Sequence, residues 1–303
     1  MHADPTLRLA SDDERSSRDR LTAGVWGGGL SLEQFCRREQ VLRGHPWTTA
    51  VMKSWWWARG GLALASCETF ELPGSVAGRR GTSRLIASVY TEPALRGAGH
   101  ASAMLRALAE DSRAAGCQAL VLFSEVGVAL YGRLGFIPMP AFDVVLPARR
   151  SSRGVLPPCN QPERSFVEGS EVLALDRTKG HLDWQLERER FYAQTLGRPR
   201  PTTASACSGA ASIGWTAYYK TDELQVLWLD ADEGTRGPLL EAAQHAAWEA
   251  GLKQVRVWDT GRGEWAARAS EAVVMSRDDE VPMFLPLTEQ IARWQPIERG
   301  MWA

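Results

Sequence analysis

The period of the apolar positions changes twice between residues 85 and 123. Leu85 to Tyr90 is a short apolar run of the kind that forms a strand, whereas Ala101, Met104, Leu105 and Leu108 recur at three- and four-residue spacing. That spacing marks one buried face of a helix over Ser102–Ala115. Gln118 to Phe123 is again a short apolar run, suited to a buried strand. Upstream, a polar helical stretch near Asp12–Ala23 precedes Ser31-Leu32-Glu33-Gln34, in which Ser31 and Gln34 can form a reciprocal capping box. Strands are predicted over Thr48–Trp57 and Leu62–Phe70. This order of elements indicates an α/β or mixed α+β fold.

The pattern recurs downstream. A helix is expected around Leu182–Leu196, strands around Ala211–Tyr219 and Leu224–Leu229, a helix over Pro238–Ala250 and a strand over Lys253–Trp258. Met104, Leu105, Leu108 and Gly116 have counterparts at Leu239, Leu240, Ala243 and Gly251, a constant 135 positions later. Between the blocks, Pro147–Pro162 is rich in Pro, Ser and Arg and reads as a linker. The chain thus divides into a first domain over 1–146, a linker over 147–163 and a second domain over 164–303.

The turn between the first strand and helix carries chemistry. Residues 95–101 read Leu-Arg-Gly-Ala-Gly-His-Ala. Small residues at Gly97, Ala98 and Gly99 let the backbone approach phosphate oxygens, while the first helical turn offers unpaired N–H groups and the positive end of its dipole. With Arg96 beside it, this volume suits a pyrophosphate. At the 135-residue offset the sequence instead reads Ala231-Asp232-Glu233-Gly234-Thr235-Arg236. Two carboxylates stand where phosphates would, so the second copy is expected not to hold the nucleotide and to wall a substrate cleft instead.

Composition narrows the class. With 303 residues and 44% hydrophobic content the chain can build a core large enough for two domains. A formal charge of −1 argues against nucleic acid as a bulk electrostatic partner. Five scattered cysteines lack metal-ligand spacing, so most are expected to be buried free thiols and no metal site is expected. No segment has the apolar length of a membrane span, and the N-terminus is polar rather than signal-like, so a cytoplasmic protein without a membrane partner is expected. The run Trp55-Trp56-Trp57 is expected to divide its rings between the two faces of one strand.

After the strand ending at Phe123 comes Ser124-Glu125-Val126-Gly127-Val128-Ala129-Leu130-Tyr131-Gly132-Arg133-Leu134-Gly135-Phe136. Together, Arg-x-x-Gly-x-Ala at Arg96–Ala101 and Tyr-x-x-Leu-Gly-Phe at Tyr131–Phe136 resemble the GNAT acetyltransferases. A narrower resemblance rests on Trp26-Gly27-Gly28-Gly29-Leu30-Ser31-Leu32-Glu33, Leu64–Thr69, Ser124–Gly127, the helix with Trp184 and Arg188-Glu189, Gly251–Val255 and the tryptophan-bearing tail. These segments resemble the fungal lysine N-acetyltransferase family of lysine catabolism, which pairs an N-terminal GNAT domain with a GNAT-like second half. The resemblance implies a mixed central sheet flanked by helices, a degenerate second copy, and acetyl-CoA as co-substrate without a metal. It further implies that the pyrophosphate lies on Arg96, Gly97, Ala98, Gly99, His100 and Ala101, that the pantetheine arm runs along Tyr90 and Thr91, and that Ser124 joins this cofactor site. Tyr131 would then donate a proton to the departing thiolate.

The nucleophile implied is a neutral amine, and an ammonium with a reference pKa near 10.4 must first lose a proton. The strand before the motif carries Leu85 where the histone-acetylating branch has a glutamate, so the base must come from elsewhere or from water. Glu68, charged within an otherwise apolar and small run, is the first candidate, then Glu125 just beyond a strand end, then Glu298 in the tail. Each could equally bind substrate ammonium groups, and Glu68 could equally be a salt-bridged strand residue. A substrate carboxylate would call for an arginine fork, for which Arg188 and Arg190 are alternatives that cannot share a helix face. His181 and His245 read as capping or surface residues. The expected acceptor is a small-molecule amine, foremost the side-chain amine of free L-lysine. Alternatives are an antibiotic, a polyamine, a peptide lysine, or acyl-CoA binding without turnover, in a monomer or homodimer.

Overall fold

The computed structural model describes residues 4–151, 156–159, 162–166, 171–260, 265–266, 271–288, 291 and 293–302. Along the chain these form β1 (Thr6–Leu9), α1 (Asp12–Trp26), α2 (Leu32–Arg43), α3 (Pro46–Val51), β2 (Met52–Arg59), β3 (Leu62–Val76), β4 (Arg79–Tyr90), α4 (His100–Ala114), β5 (Ala119–Ser124), α5 (Ala129–Gly132), β6 (Ile137–Pro138) and β7 (Phe142–Pro147). Then come β8 (Val172–Leu175), α6 (Lys179–Leu196), β9 (Ser205–Ser208), β10 (Ala211–Tyr218), β11 (Glu223–Asp230), α7 (Glu233–Glu249), β12 (Gln254–Asp259), β13 (Val273–Ser276), β14 (Val281–Pro286) and β15 (Arg293–Trp294).

Local chemistry sets several boundaries. Ser31 and Gln34 close the expected capping box on α2, and Ser11 with Glu14 does the same for α1. The strand expected over Thr48–Trp57 is a correction: Pro46 starts a short helix that runs to Val51, and the strand begins only at Met52. Likewise α7 begins at Glu233 rather than Pro238, because Asp232 and Thr235 form a capping box upstream and the proline sits inside the helix.

Two sheets organise the chain. The first has the order β1-β2-β3-β4-β5-β14-β6, with β8 also on β3 and β15 on β8; the second has the order β13-β7-β12-β11-β10-β9. In the first, β4 and β5 are parallel and paired over Arg84–Ile86 and Leu120–Leu122, after which they diverge. In the second, β11 and β12 are parallel over Glu223–Gln225 and Gln254–Arg256, the same arrangement in the sequence-related elements.

The sheets exchange strands across the expected linker. Strand β7, which precedes it, pairs with β12 and β13, while β14, which follows it, pairs with β5. Of the expected linker, Pro147 is the last residue of β7, and positions 152–155 and 160–161 lie outside the described residues. One face of the first sheet packs Ile86, Leu120 and Leu122 against Met104, Leu105 and Leu108 of α4; the other packs Leu72, Leu85 and Phe284 with Trp47 and Trp184. Trp55 lies in the α4-side core, and Trp56 is stacked by Arg8 at 5.4 Å, consistent with rings on opposite faces. All five cysteines are free; Cys67 and Cys117 are buried and the others half-buried. Among the described residues no helix is long and apolar enough to cross a membrane.

Candidate active site

The divergence of β4 from β5 is anchored by a bulge. Ser66 of β3 pairs with Tyr90 and Glu68 with Ala87, so one β3 residue opposes two of β4, and Ser88 takes a positive φ of 53°. The buried Arg18 of α1 fixes this turn. Its Nε donates to Ser66 Oγ at 3.0 Å, its Nη1 to Glu68 Oε1 at 3.0 Å, and its Nη2 to the Ser88 carbonyl at 2.7 Å. Beyond Ile86, β4 has no register with β5, which leaves its β5-facing edge open toward Tyr90 and Thr91.

At the end of that edge lies the glycine turn. Gly97 and Gly99 have φ of 82° and 79°, a region that disfavours any side chain, and Gly99 is the N-cap of α4. No side chain caps α4, so its first N–H groups, including those of His100 and Ala101, are not satisfied by a capping side chain. Arg96 is exposed beside them, its Nε donating to the Thr91 carbonyl at 3.0 Å. The related terminus of α7 is closed: Asp232 Oδ1 accepts from Thr235 N at 2.8 Å, so the protein's own carboxylate occupies it.

A cavity of about 640 Å³ continues from this divergence toward the second sheet. Glu68, Glu125 and Tyr131 all line it. Tyr131, on α5, is buried edge-on against Phe136 at 5.7 Å, and its hydroxyl makes no hydrogen bond among the described residues. Burial, then the proximity of Cys67 and Glu125, pushes its phenol up to about 12. Enclosure in the cleft and the neighbouring Glu280 raise the Glu125 carboxyl, against a hydrogen bond from the Trp26 side chain. Glu68 is buried and held by Arg18. Ser124 is buried and its Oγ donates to the Gly127 carbonyl at 2.6 Å, which commits that side chain to the turn. Glu298 lies elsewhere, its Oε2 accepting from Arg177 Nε at 3.0 Å beside a second cavity.

The opposite wall comes from the second half and was missed by sequence reasoning apart from one residue. Arg188 lines the cavity, whereas Arg190 is exposed and paired with Glu187 at 2.8 Å, which separates the two alternatives. Lys220, Glu280, Arg299 and Trp302 also line this wall, scattered over loops and the tail without local periodicity. His181 is a correction: it is buried and stacked on Trp47 at 4.0 Å, and burial drives its imidazole down to about 3. His245 is half-buried beside Glu249 at 3.6 Å.

A splayed parallel strand pair, a bulged fourth strand and an uncapped glycine-rich helix terminus frame the site. Residues 31–136 match the acetyltransferase (GNAT) family. Residues 164–297 match the LYC1 GNAT-like C-terminal domain. A lysine acetyltransferase of Yarrowia lipolytica is 33% identical over 108 residues, which are 33% of this chain and 28% of that protein. The fold is shared with a conserved protein of unknown function from Enterococcus faecalis (TM-score 0.62, 12% identity, 94% of this chain and 73% of that one). It is also shared with a GCN5-related N-acetyltransferase from Anabaena variabilis (TM-score 0.56, 12% identity, 94% and 73%).

Proposed function

We propose that the protein is an acetyl-CoA-dependent N-acetyltransferase acting on the side-chain amine of a free amino acid, foremost L-lysine, with domains at 1–146 and 164–303. The observation that carries this is the Tyr131 hydroxyl, which lacks a hydrogen bond among the described residues and lines one cavity with Glu125 and the diverging strands. The uncapped N–H groups at Arg96–Ala101 hold the pyrophosphate, and the open edge at Tyr90 and Thr91 pairs with the amides of the pantetheine arm. Acetyl-CoA supplies the activated acyl group. Glu125, directly or through a water, takes the proton from the acceptor ammonium, and its raised pKa makes it a stronger base than an ordinary glutamate. Glu68 is less suited to that task, because its carboxylate is committed to the Arg18 guanidinium. The freed amine attacks the carbonyl carbon, the C–S bond breaks as Tyr131 protonates the leaving thiolate, and the second proton of the attacking nitrogen passes through solvent to restore the phenol.

Free lysine is favoured over a peptide because residues of both halves give the cavity both charge signs, as a zwitterion requires. The name of the Yarrowia lipolytica relative points the same way. A thiol-release assay with acetyl-CoA against free amino acids, polyamines, aminoglycosides and lysine peptides tests the reading. Release that depends on lysine supports it; no acceptor-dependent release across the panel sinks it.

A further inference from the structure

Three arginines and two tryptophans form a connected stack along the second-half wall. The Arg188 guanidinium lies 4.4 Å from the Trp302 ring centroid and Arg299 lies 3.9 Å from it; Arg299 is also 4.8 Å from Trp258, on which Arg277 packs at 3.8 Å. These cations are poorly neutralised. Arg188 donates no hydrogen bond and forms no ion pair among the described residues. Arg299 is buried, its Nε donates to Gln225 Oε1 at 2.8 Å, its Nη1 has no hydrogen-bond partner among the described residues, and its carboxylate neighbour Glu280 stands 3.8 Å from Nη2. Among the described residues all three side-chain nitrogens of buried Arg277 lack a hydrogen-bond partner, with Asp143, Glu280 and Asp279 as its nearby carboxylates.

Burying guanidinium groups with unfilled donors is costly, so the open donors of this wall suit an anion from outside the chain. Burial chiefly, with Arg188 and Arg277 adding to it, pulls the Arg299 guanidinium down to about 10, against the opposing effect of Glu280. It remains charged at neutral pH. Of the three, Arg188 and Arg299 line the cavity that contains Tyr131 and Glu125. Trp302, on which both stack, is held by its backbone N–H donating to the Arg299 carbonyl at 3.0 Å and by its carbonyl accepting from Gln185 Nε2.

We propose that Arg188 and Arg299, both stacked on Trp302, form the subsite for the carboxylate of the acceptor. This rests on the reading of the cavity as the acceptor site for a free amino acid and adds which residues hold its carboxylate and so tell it from a diamine. Planar guanidiniums with fixed orientation and free donors suit a planar carboxylate, and stacking removes much of their rotational freedom before the ligand arrives. The acidic groups Glu125 and Glu280 stand on the same cavity, available to the acceptor's ammonium groups.

Calorimetric titration of the full chain with L-lysine, L-lysinamide and 1,5-diaminopentane tests this without requiring turnover. The expected result is lysine binding about tenfold to a hundredfold tighter than lysinamide or the diamine, the range for a charge-assisted hydrogen-bonded pair. In Arg188→Gln that ratio falls toward one, and Arg188→Lys recovers part of it. Arg188 is half-buried and free of ion pairs, so its replacement leaves the fold intact, and an unchanged melting temperature checks this. Equal affinity for lysine and lysinamide, an equal loss for both in Arg188→Gln, or no binding of any of the three overturns the subsite. Discrimination between lysine and lysinamide without any thiol release sinks the transfer reading while supporting the subsite.

Discussion

The Arg18 guanidinium donates at 2.7 Å to the backbone carbonyl of Ser88, the residue whose positive φ bends β4 away from β5. The same group forms a buried ion pair with Glu68. Removing one member of such a pair costs about 3–5 kcal/mol, because it strands the other charge. Arg18→Met is therefore expected to lose stability of that order in urea denaturation. The double variant Arg18→Met, Glu68→Leu regains most of it, yet its acetyl-CoA affinity stays reduced, since the Ser88 carbonyl still lacks its donor. Full recovery of affinity in the double variant would show that the bulge does not depend on Arg18.

Tyr131→Phe removes the proposed proton donor and leaves the packing against Phe136. Its kcat is expected to fall by about 10²–10⁴ with the acetyl-CoA Kd unchanged. With the phenol at about 12, Tyr131 stays protonated across any practical assay range and sets no basic limb. Glu125 must be ionised to act and its carboxyl is raised, so activity rises with pH through a limb above the ordinary glutamate range. That limb should vanish in the kcat/KM profile of Glu125→Gln.

Gly99→Ala meets nothing within 4 Å, so its effect comes from the backbone at φ 79° alone. A cost of about 1–2 kcal/mol in stability is expected. Gly116 has a matching φ of 77° and equally open space at the far end of α4. Gly116→Ala should therefore lose similar stability while acetyl-CoA binding drops only in Gly99→Ala, as equilibrium binding will show.

His181 gives a pH signature. Its folded pKa of about 3 lies below the unfolded value of 6.5, so the unfolded state binds the extra proton between those two values. The stability it contributes is full above 6.5 and is lost as pH falls toward 3. His181→Phe, which can keep the stack on Trp47, should show a flatter decline of Tm on acidification than the parent chain.

The first half of the site was legible because its signals are local. Glycines at positive φ, a 3.6-residue apolar period in α4 and a tyrosine at a fixed distance in sequence all lie within residues 85–136, and the helix and strand appear close to where the pattern sets them. Arg18 was not legible, since it sits in a polar stretch and becomes buried through Glu68, fifty positions away. The same holds for Arg299 and Trp302, which the tail delivers to a wall built by α6 and β10. Nor could the apolar run Val281–Leu285 say which sheet it joins, because strand pairing is decided by nonlocal registry.

That registry bears on how the protein can be taken apart. Cleavage within 152–155 would sever no single tether between two finished bodies: the upstream fragment would carry β7 without the β12 and β13 it pairs with, and would bare the edge of β5 that β14 covers. Each fragment would hold sticky, half-satisfied backbone and seek the other. Two genes expressing the halves would thus make a complementation pair, not a pair of independent proteins, and any ancestral duplication recorded by the 135-residue offset has since become a single heritable unit of folding.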